Sequence, residues 1–182
     1  ALNIGGKTLH SWAGHGLLDR PFEHYATNPM WGKRAKSIIE TDILIIDEVS
    51  MLDTCLFELL DRLCRHHRGV QCFFGGMKVI FCGDIMQLPP VKGKNFLYSE
   101  CMDFDLFDIH TFYEPKRYPD PRFYESLMRL RKGILCLEDE KTFMKKVKEF
   151  NMATLEKQSV IPTMIYSTRA NVEMENAAKL NA

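Results

Sequence analysis

Two apolar runs rich in β-branched residues stand out in the alternation of hydrophobic and polar positions along this chain. They occupy residues 42–46 and 77–82, and polar or glycine residues follow each of them at once. Short runs of this kind predict strands that are buried on both faces, as in a parallel sheet. Residues 111–114 and 163–166 have weaker patterns and predict two more short strands.

Apolar residues at helical spacing separate the predicted strands. Leucines recur on one face between residues 54 and 67, which predicts an amphipathic helix that ends at Gly69. Strands that alternate with helices indicate an α/β fold with a mainly parallel sheet. The same spacing predicts three later helices, at residues 123–130 with a stop at Gly133, around 143–150, and over 170–181.

The beginning of the chain shows no clear period. Residues 1–12 predict a loop that leads into a short apolar piece. Residues 13–37 mix glycine, proline, aromatic and basic side chains, and we predict a small irregular insertion there.

Composition excludes several classes of protein. Hydrophobic residues make up 46% of the chain and charged residues 26%, which is ordinary for a soluble globular domain. The formal net charge is zero, so no global field favours nucleic acid or a membrane. Residues 115–149 nevertheless carry ten Lys or Arg against six Asp or Glu, and a local basic groove is enough for single-stranded DNA. No apolar run approaches about 18 residues, and we expect no membrane span.

The six cysteines have no tight, disulfide-like spacing, which predicts reduced thiols in an intracellular protein. The stretch from Cys64 to Cys72 also contains two histidines and could be taken for a zinc site. A helix end followed by a turn is the simpler interpretation, because the paired Cys-x-x-Cys knuckle is missing.

The sharpest chemical feature is the acidic pair Asp47-Glu48. The apolar run before it would deliver two adjacent carboxylates to the C-terminal edge of a sheet, where open α/β folds bind ligands. In a P-loop ATPase, Asp47 would hold Mg²⁺ through its water shell and Glu48 would polarise the attacking water. The alternative is an ordinary strand end with two solvated acids.

The second apolar run ends in a similar way. Gly83-Asp84 follows it, and Gln87 comes just before the rigid turn Pro89-Pro90. A glutamine can donate to a phosphate oxygen and accept from water, so Gln87 is suited to sensing a γ-phosphate. The alternative is a polar loop residue before a proline turn.

Three motifs together carry a family resemblance. Residues 47–53 read Asp-Glu-Val-Ser-Met-Leu-Asp, residues 74–76 read Phe-Gly-Gly, and residues 83–91 read Gly-Asp-Ile-Met-Gln-Leu-Pro-Pro-Val. In this order they resemble the Pif-one/RecD-like helicases of superfamily one.

The resemblance extends over nearly the whole chain. Residues 3–14 are similar to the family's DNA-contacting motif, which follows the phosphate loop. Residues 114–118, with the helix that ends at residues 129–133, are similar to its arginine motif. Residues 166–169 look like the entry to the second RecA-like domain.

The resemblance implies a RecA-like P-loop NTPase core from which the first strand and the phosphate loop are absent. Residues 1–150 would form a partial first RecA-like domain with a wedge-like insertion at about 13–37, and residues 151–182 would begin the second domain. Residues 1–8 fit a relaxed phosphate-loop pattern, but we reject it. A phosphate loop follows a buried strand and opens a helix, and residues 10–14 look like a poor helix start.

The resemblance also implies roles for DNA-contacting residues. Hydroxyls and an imidazole can reach phosphates, and an indole can stack on a base. Core packing of the indole and solvated helix starts are the competing interpretations. The residues implied in contact with single-stranded DNA are Thr8, His10, Ser11 and Trp12 in the first domain, and Thr168 and Arg169 in the second.

Arg117 is implied as an arginine finger that reaches the γ-phosphate, with a surface arginine as the alternative. The family commonly has glutamine after this arginine, but Tyr118 stands here, so no role is carried over from that glutamine. In the insertion, Phe22, Tyr25 and Trp31 are candidate contacts to a duplex junction, with local packing as the alternative.

The function implied is an ATP-dependent DNA helicase that uses ATP and Mg²⁺ to move 5′-to-3′ along single-stranded DNA and to unwind duplex junctions. Such an enzyme would act as a monomer in DNA repair, recombination or telomere maintenance. Its location would be nuclear, with a mitochondrial or viral origin as alternatives. The 182 residues alone are expected to be inactive without a phosphate loop. A DNA-binding helicase remnant and another P-loop ATPase remain the competing functions.

Overall fold

The computed structural model describes residues 4–118, 120–149 and 163–180. The chain forms two compact units, Ala1–Lys116 and Arg117–Ala182. The predicted domain boundary at residues 150 and 151 lies outside the described residues and stays a prediction.

The centre of the first unit is a two-stranded parallel sheet. Strand β1 (Ile43–Ile46) pairs with β2 (Lys78–Phe81) so that Ile46 lies opposite Phe81. Helix α5 (Thr54–Arg68) makes the crossover between them. Both strands, their parallel direction and this helix confirm the predictions.

Helix α5 begins and ends where its capping residues allow. The Asp53 carboxylate accepts from the Leu56 N–H at 3.0 Å, which satisfies one of the free donors of the first turn. Gly69 follows the helix in the left-handed conformation, with φ of 67°. These two residues set the direction in which the chain leaves β1 and returns to β2.

The prediction that the strands are buried on both faces is wrong. Leu44 and Ile46 are buried, but Ile43 and Ile45 are 54% and 62% exposed. The buried residues belong to the core that α5 completes, whereas no element of the described residues covers the other face. Length and apolar composition therefore predicted the strand correctly but not how many of its faces are covered.

An aromatic cluster fills the core between α5 and the sheet. Phe57 of α5 is fully buried, and its ring centroid lies 5.3 Å from that of Phe96 and 5.6 Å from that of Phe74. Phe81 of β2 lies 5.0 Å from Phe96. Rings at these distances bury large apolar areas and hold the chain after β2 against α5.

The first forty residues are more helical than predicted. Residues 9–13 form helix α1 (Leu9–Ala13) instead of a loop, because the Thr8 hydroxyl accepts from the Ser11 N–H and caps it. The insertion is not irregular, since short helices occupy much of it. Some of these segments have a side-chain cap and others pack against α5, and all are too short to show a hydrophobic period. The helices are α2 (Phe22–Ala26), α3 (Pro29–Arg34) and α4 (Lys36–Glu40).

The two weaker strand predictions are wrong. Residues 111–114 and 163–166 have no strand structure, and Phe112 and Ile165 are 94% and 92% exposed. A strand is stabilised by the hydrogen bonds of a neighbouring strand, and within the described residues neither segment has one.

The described part of the second unit consists of helices. These are α6 (Pro121–Arg131), α7 (Leu137–Glu149) and α8 (Arg169–Leu180), and they confirm the three later helix predictions. Arg129 of α6 forms a two-point ion pair with the buried Asp139 of α7, with nitrogen–oxygen distances of 2.5 and 2.9 Å. The guanidinium holds the pKa of the Asp139 carboxyl well below its usual range. None of the helices described is long and apolar enough to span a membrane.

Candidate active site

The exits of the two strands form one continuous edge. The Cys82 N–H donates to the Ile46 carbonyl at 2.8 Å, and the Val49 N–H donates to the Cys82 carbonyl at 3.1 Å. The hydrogen bonding of the parallel sheet therefore continues one residue past the end of β2, with one bond before Asp47 and one after it. The acidic pair and the Gly83-Asp84 turn leave the sheet side by side at this edge.

The backbone turns sharply at Glu48. This residue has φ of 56° and ψ of 45°, a left-handed conformation that is uncommon for a residue with a side chain. Its N–H donates to the Asp47 carboxylate at 3.0 Å, and a 3₁₀ turn over Val49–Met51 follows. Both acidic residues are exposed, so the turn presents two carboxylates to solvent at the sheet edge.

A compact turn at the exit of β2 carries Gln87. The Gln87 N–H donates to the Asp84 carbonyl at 2.9 Å, and the Met86 N–H donates to the Asp84 carboxylate at 3.0 Å. Gln87 is exposed just before the two prolines. Asp47, Glu48 and Gln87 thus all follow the carboxyl ends of neighbouring parallel strands, while their chemical roles stay predictions.

The predicted DNA-contact residues of the first unit are the cap of helix α1 and three residues within it. Thr8 and Ser11 are exposed, but the Thr8 hydroxyl is engaged as the helix cap. Trp12 packs partly buried against the core, and its indole N–H donates to the Thr41 hydroxyl at 3.0 Å. The structure thus gives Trp12 a packing role, and its contact with a base stays a prediction, as does that of the half-buried His10.

The predicted site residues of the second unit lie at an element start and in an irregular segment. Thr168 precedes α8, and its hydroxyl accepts from the Asn171 N–H at 3.4 Å, as a helix cap does. Arg169 and Arg117 are both exposed. The Tyr118 ring lies 6.1 Å from Phe123. An exposed guanidinium is available to a phosphate, and the finger role of Arg117 stays a prediction.

The aromatic residues of the insertion pack mostly within the first unit. Tyr25 is 2% exposed, and its hydroxyl accepts from the Arg20 N–H at 3.0 Å, so local packing describes it. Phe22 lies under the guanidinium of Arg62, 4.1 Å from it. Trp31 is half-buried and stacks on His15 with centroids 5.5 Å apart.

Two histidines form a contact that the sequence analysis missed. The ring nitrogens of His15 and His67 lie 3.0 Å apart and join the insertion to the last turn of α5. Nδ1 of His15 also contacts the Ala13 carbonyl, which can only accept, so this nitrogen carries the proton. His67 therefore donates to His15. In the sequence, His67 stood out only within the stretch that resembles a zinc motif, and no local signal paired it with a residue 52 positions away.

Burial affects the charge of both rings. Desolvation lowers the pKa of His15, and the nearby Arg34 lowers it further, whereas the hydrogen bond to Ala13 opposes this. Desolvation also lowers the pKa of His67 to about 4, with the charges of His15 and His66 as further causes. The pair is thus neutral at physiological pH.

The cysteines form no disulfide, and all six lie in the described residues. Cys64 is fully buried in α5, and burial raises the pKa of its thiol to about 12, whereas Cys72 is exposed. No group of three or more His, Cys, Asp or Glu within the described ranges is arranged to hold a metal. The helix-end interpretation of residues 64–72 matches this geometry, because α5 runs to Arg68 and Gly69 ends it.

Comparison with known proteins gives a consistent result. Residues 1–103 match the family model of PIF1-like helicases. The chain is 32% identical over 197 residues to the ATP-dependent DNA helicase PIF1 of Candida albicans, covering all of this chain and 21% of that protein. It thus spans about a fifth of the length of this relative.

Solved structures agree with the sequence comparison. The crystal structure of Pif1 helicase from Candida albicans superposes with a TM-score of 0.84, 32% identity, and coverage of 100% of this chain and 41% of that one. A Bacteroides Pif1 helicase in complex with ADP-AlF3 and single-stranded DNA gives a TM-score of 0.75 at 25% identity, with coverage of 100% and 44%. The parallel strands and the acidic edge therefore belong to a RecA-like helicase fold, and the chain belongs to the PIF1-like helicase family.

Proposed function

We propose that this chain is part of the ATP-driven motor of a DNA helicase. The observation that carries the proposal is the shared edge of β1 and β2, where Asp47-Glu48 and the turn of Gln87 leave neighbouring parallel strands. Ligands of open α/β sheets bind at this edge. The chain's membership of a helicase family favours ATP as the ligand.

The proposed chemistry at this edge divides among three side chains. Asp47 and Glu48 offer exposed carboxylate oxygens, the donors that Mg²⁺ prefers, so the residues fit this ion. Mg²⁺ bound there would neutralise charge on the β- and γ-phosphates. Asp47 would hold the ion, and Glu48 would accept a proton from the attacking water. Gln87 donates to the γ-phosphate and orients the same water.

Arg117 completes the proposed site as a finger. A guanidinium stays charged and can bind two phosphate oxygens at once, which suits the charge that develops during phosphoryl transfer. Arg117 is exposed, so its guanidinium is accessible to a bound phosphate.

The proposed DNA contacts come from polar and aromatic side chains at helix α1 and at the start of α8. Thr8, Ser11 and His10 contact phosphates beside helix α1, Trp12 supplies its partly buried indole, and Thr168 with Arg169 contacts the backbone at the start of α8. The strand is followed 5′-to-3′, and the substrates are single-stranded DNA and duplex junctions. We propose a monomeric, nuclear enzyme of DNA repair, recombination or telomere maintenance.

The test is ATP hydrolysis by the full-length protein with and without single-stranded DNA. A rate that DNA stimulates, with unwinding of a duplex that has a 5′ single-stranded tail, supports the proposal. Hydrolysis without any DNA stimulation favours another P-loop ATPase. DNA binding without hydrolysis favours a helicase remnant. Either of the last two results contradicts the proposed motor.

A further inference from the structure

The loop that carries Gln87 is attached at both ends to the segment that carries the acidic pair. At its start, Cys82 pairs with Ile46 and Val49. At its end, residues 94–96 lie against the segment just beyond Glu48, and Asp53 and Asn95 form an antiparallel bridge. We call residues 84–93 the Gln87 loop and residues 94–96 its anchor.

Backbone hydrogen bonds form part of the anchor. The Thr54 N–H donates to the Lys94 carbonyl at 2.9 Å, and the Phe96 N–H donates to the Leu52 carbonyl at 2.9 Å. Phe96 is 2% exposed within the aromatic cluster, so the anchor ends on a rigid part of the core. Both ends of the Gln87 loop, at Cys82 and at the anchor, are therefore hydrogen-bonded to the segment that carries Asp47 and Glu48.

One side chain links the anchor directly to the turn after Glu48. The Asn95 side-chain amide donates to the Ser50 carbonyl at 2.9 Å, and its oxygen accepts from the Leu97 N–H at 3.1 Å. Because one end of the amide must donate and the other accept, these two bonds fix its orientation. Ser50 itself is 1% exposed and lies in the 3₁₀ turn that Glu48 starts.

We propose that Asn95 is a positioning residue for the nucleotide site. By binding Ser50, it couples the Gln87 loop to the Glu48 turn. The Gln87 amide, which senses the γ-phosphate, and the Glu48 carboxylate, which polarises water, therefore keep a constant distance from each other. This inference rests on the proposed function. Asn95 acts through Ser50 and Gln87, and it need not touch the nucleotide.

The test compares two variants of the full-length protein. Asn95→Asp keeps the oxygen that accepts from Leu97 but places a second carboxylate oxygen against the Ser50 carbonyl. Asp103→Ala is the matched control, because Asp103 caps the 3₁₀ turn Phe104–Leu106 through the Asp105 N–H at 3.1 Å. The control removes the cap of a nearby 3₁₀ turn outside the anchor, so it shows how much a local loss of this size costs without the bond to Ser50.

We expect Asn95→Asp to lower kcat for DNA-stimulated ATP hydrolysis about ten- to a hundredfold, because small misplacements of catalytic groups have effects of this size. Its melting temperature should stay close to that of Asp103→Ala, which keeps its kcat. Combining Asn95→Asp with Gln87→Ala should slow hydrolysis by clearly less than the product of the two single effects, since Asn95 acts in part through Gln87. An unchanged kcat, or fully additive effects, overturns the proposal.

Amide hydrogen exchange separates this inference from the proposed function. Asn95→Asp should speed exchange in residues 84–93 and leave the amides of β1 unchanged, whether or not the protein hydrolyses ATP. Unchanged exchange in the loop overturns the anchoring role even if the wild-type protein is an active helicase. Faster exchange in a protein without ATP hydrolysis supports the anchoring and contradicts the motor instead.

Discussion

Gly83 approaches the backbone nitrogen of Val49 closely and leaves little room for a side chain there. A Cβ atom on Gly83 would lie 3.0 Å from the Val49 nitrogen, and Gly83 has φ of 147°, a conformation that residues with side chains rarely adopt. The two strand exits are therefore close because one of them is a glycine. This contact holds the acidic turn and the Gln87 loop together at their origin.

Replacing this glycine should disturb both stability and the site. We expect Gly83→Ala to reduce the free energy of unfolding by about 1–3 kcal/mol, because backbone strain at this φ and the tight contact with Val49 add. Chemical denaturation of the full-length protein measures this change. Gly16→Ala is the control, since Gly16 also has positive φ but no atom within 4 Å of its Cβ position. Equal losses for the two variants would show that the close approach contributes nothing.

Glu48→Gln should separate binding from hydrolysis. The amide keeps the shape of the side chain but cannot take a proton from water, so we expect hydrolysis to fall by at least roughly 10²-fold while ATP affinity is retained. Single-turnover hydrolysis and equilibrium nucleotide binding by the full-length protein measure the two effects. Glu100→Gln, at an exposed acid, is the control. Retained turnover in Glu48→Gln would remove Glu48 from the proposed chemistry.

Arg117→Ala should slow hydrolysis without preventing nucleotide binding. A true arginine finger acts on the charge of the transition state, and its loss costs roughly 10³- to 10⁵-fold in turnover. Arg122→Ala, at another exposed arginine of the same unit, should have little effect on the rate. Similar rates for both variants would identify Arg117 as a surface residue.

The lowered pKa of His67 predicts that the folded protein loses stability in mild acid. The pKa of His67 is lowered to about 4 in the folded protein, whereas the unfolded chain takes up this proton near pH 6.5. The unfolded state therefore binds more protons between these values, and stability falls as pH decreases from 6.5 to 4. The slope is at most about 1 kcal/mol per pH unit for this ring, allowing for its exposed part.

Unfolding measured across this pH range tests the contribution of the pair. We expect His67→Gln to be less sensitive to pH than the wild type, because glutamine can still donate to His15 but does not titrate. His110→Gln, at an exposed histidine, should leave the profile unchanged. A His67→Gln profile that matches the wild type would show that the buried pair does not couple folding to pH.

Local signals were sufficient for the longer elements. The leucine spacing and Gly69 predicted α5, and the apolar runs predicted β1 and β2, because each signal lies within or directly beside the element it defines. The same approach missed α1 and the helices of the insertion. Helices of five or six residues depend on a side-chain cap, as α1 and α3 do, or on packing against α5, as α2 and α4 do, and neither produces a period.

The sequence by itself determined the strands that carry Asp47, Glu48 and Gln87 and the family to which these motifs belong, because motif order and strand patterns are local properties of the chain. Only the tertiary structure decided which residues far apart in the sequence contact each other. The bond from Asn95 to Ser50 spans 45 positions, and the His15–His67 contact spans 52. Such pairs depend on how α5 folds back on the sheet and on the insertion, and no single stretch of sequence contains that information.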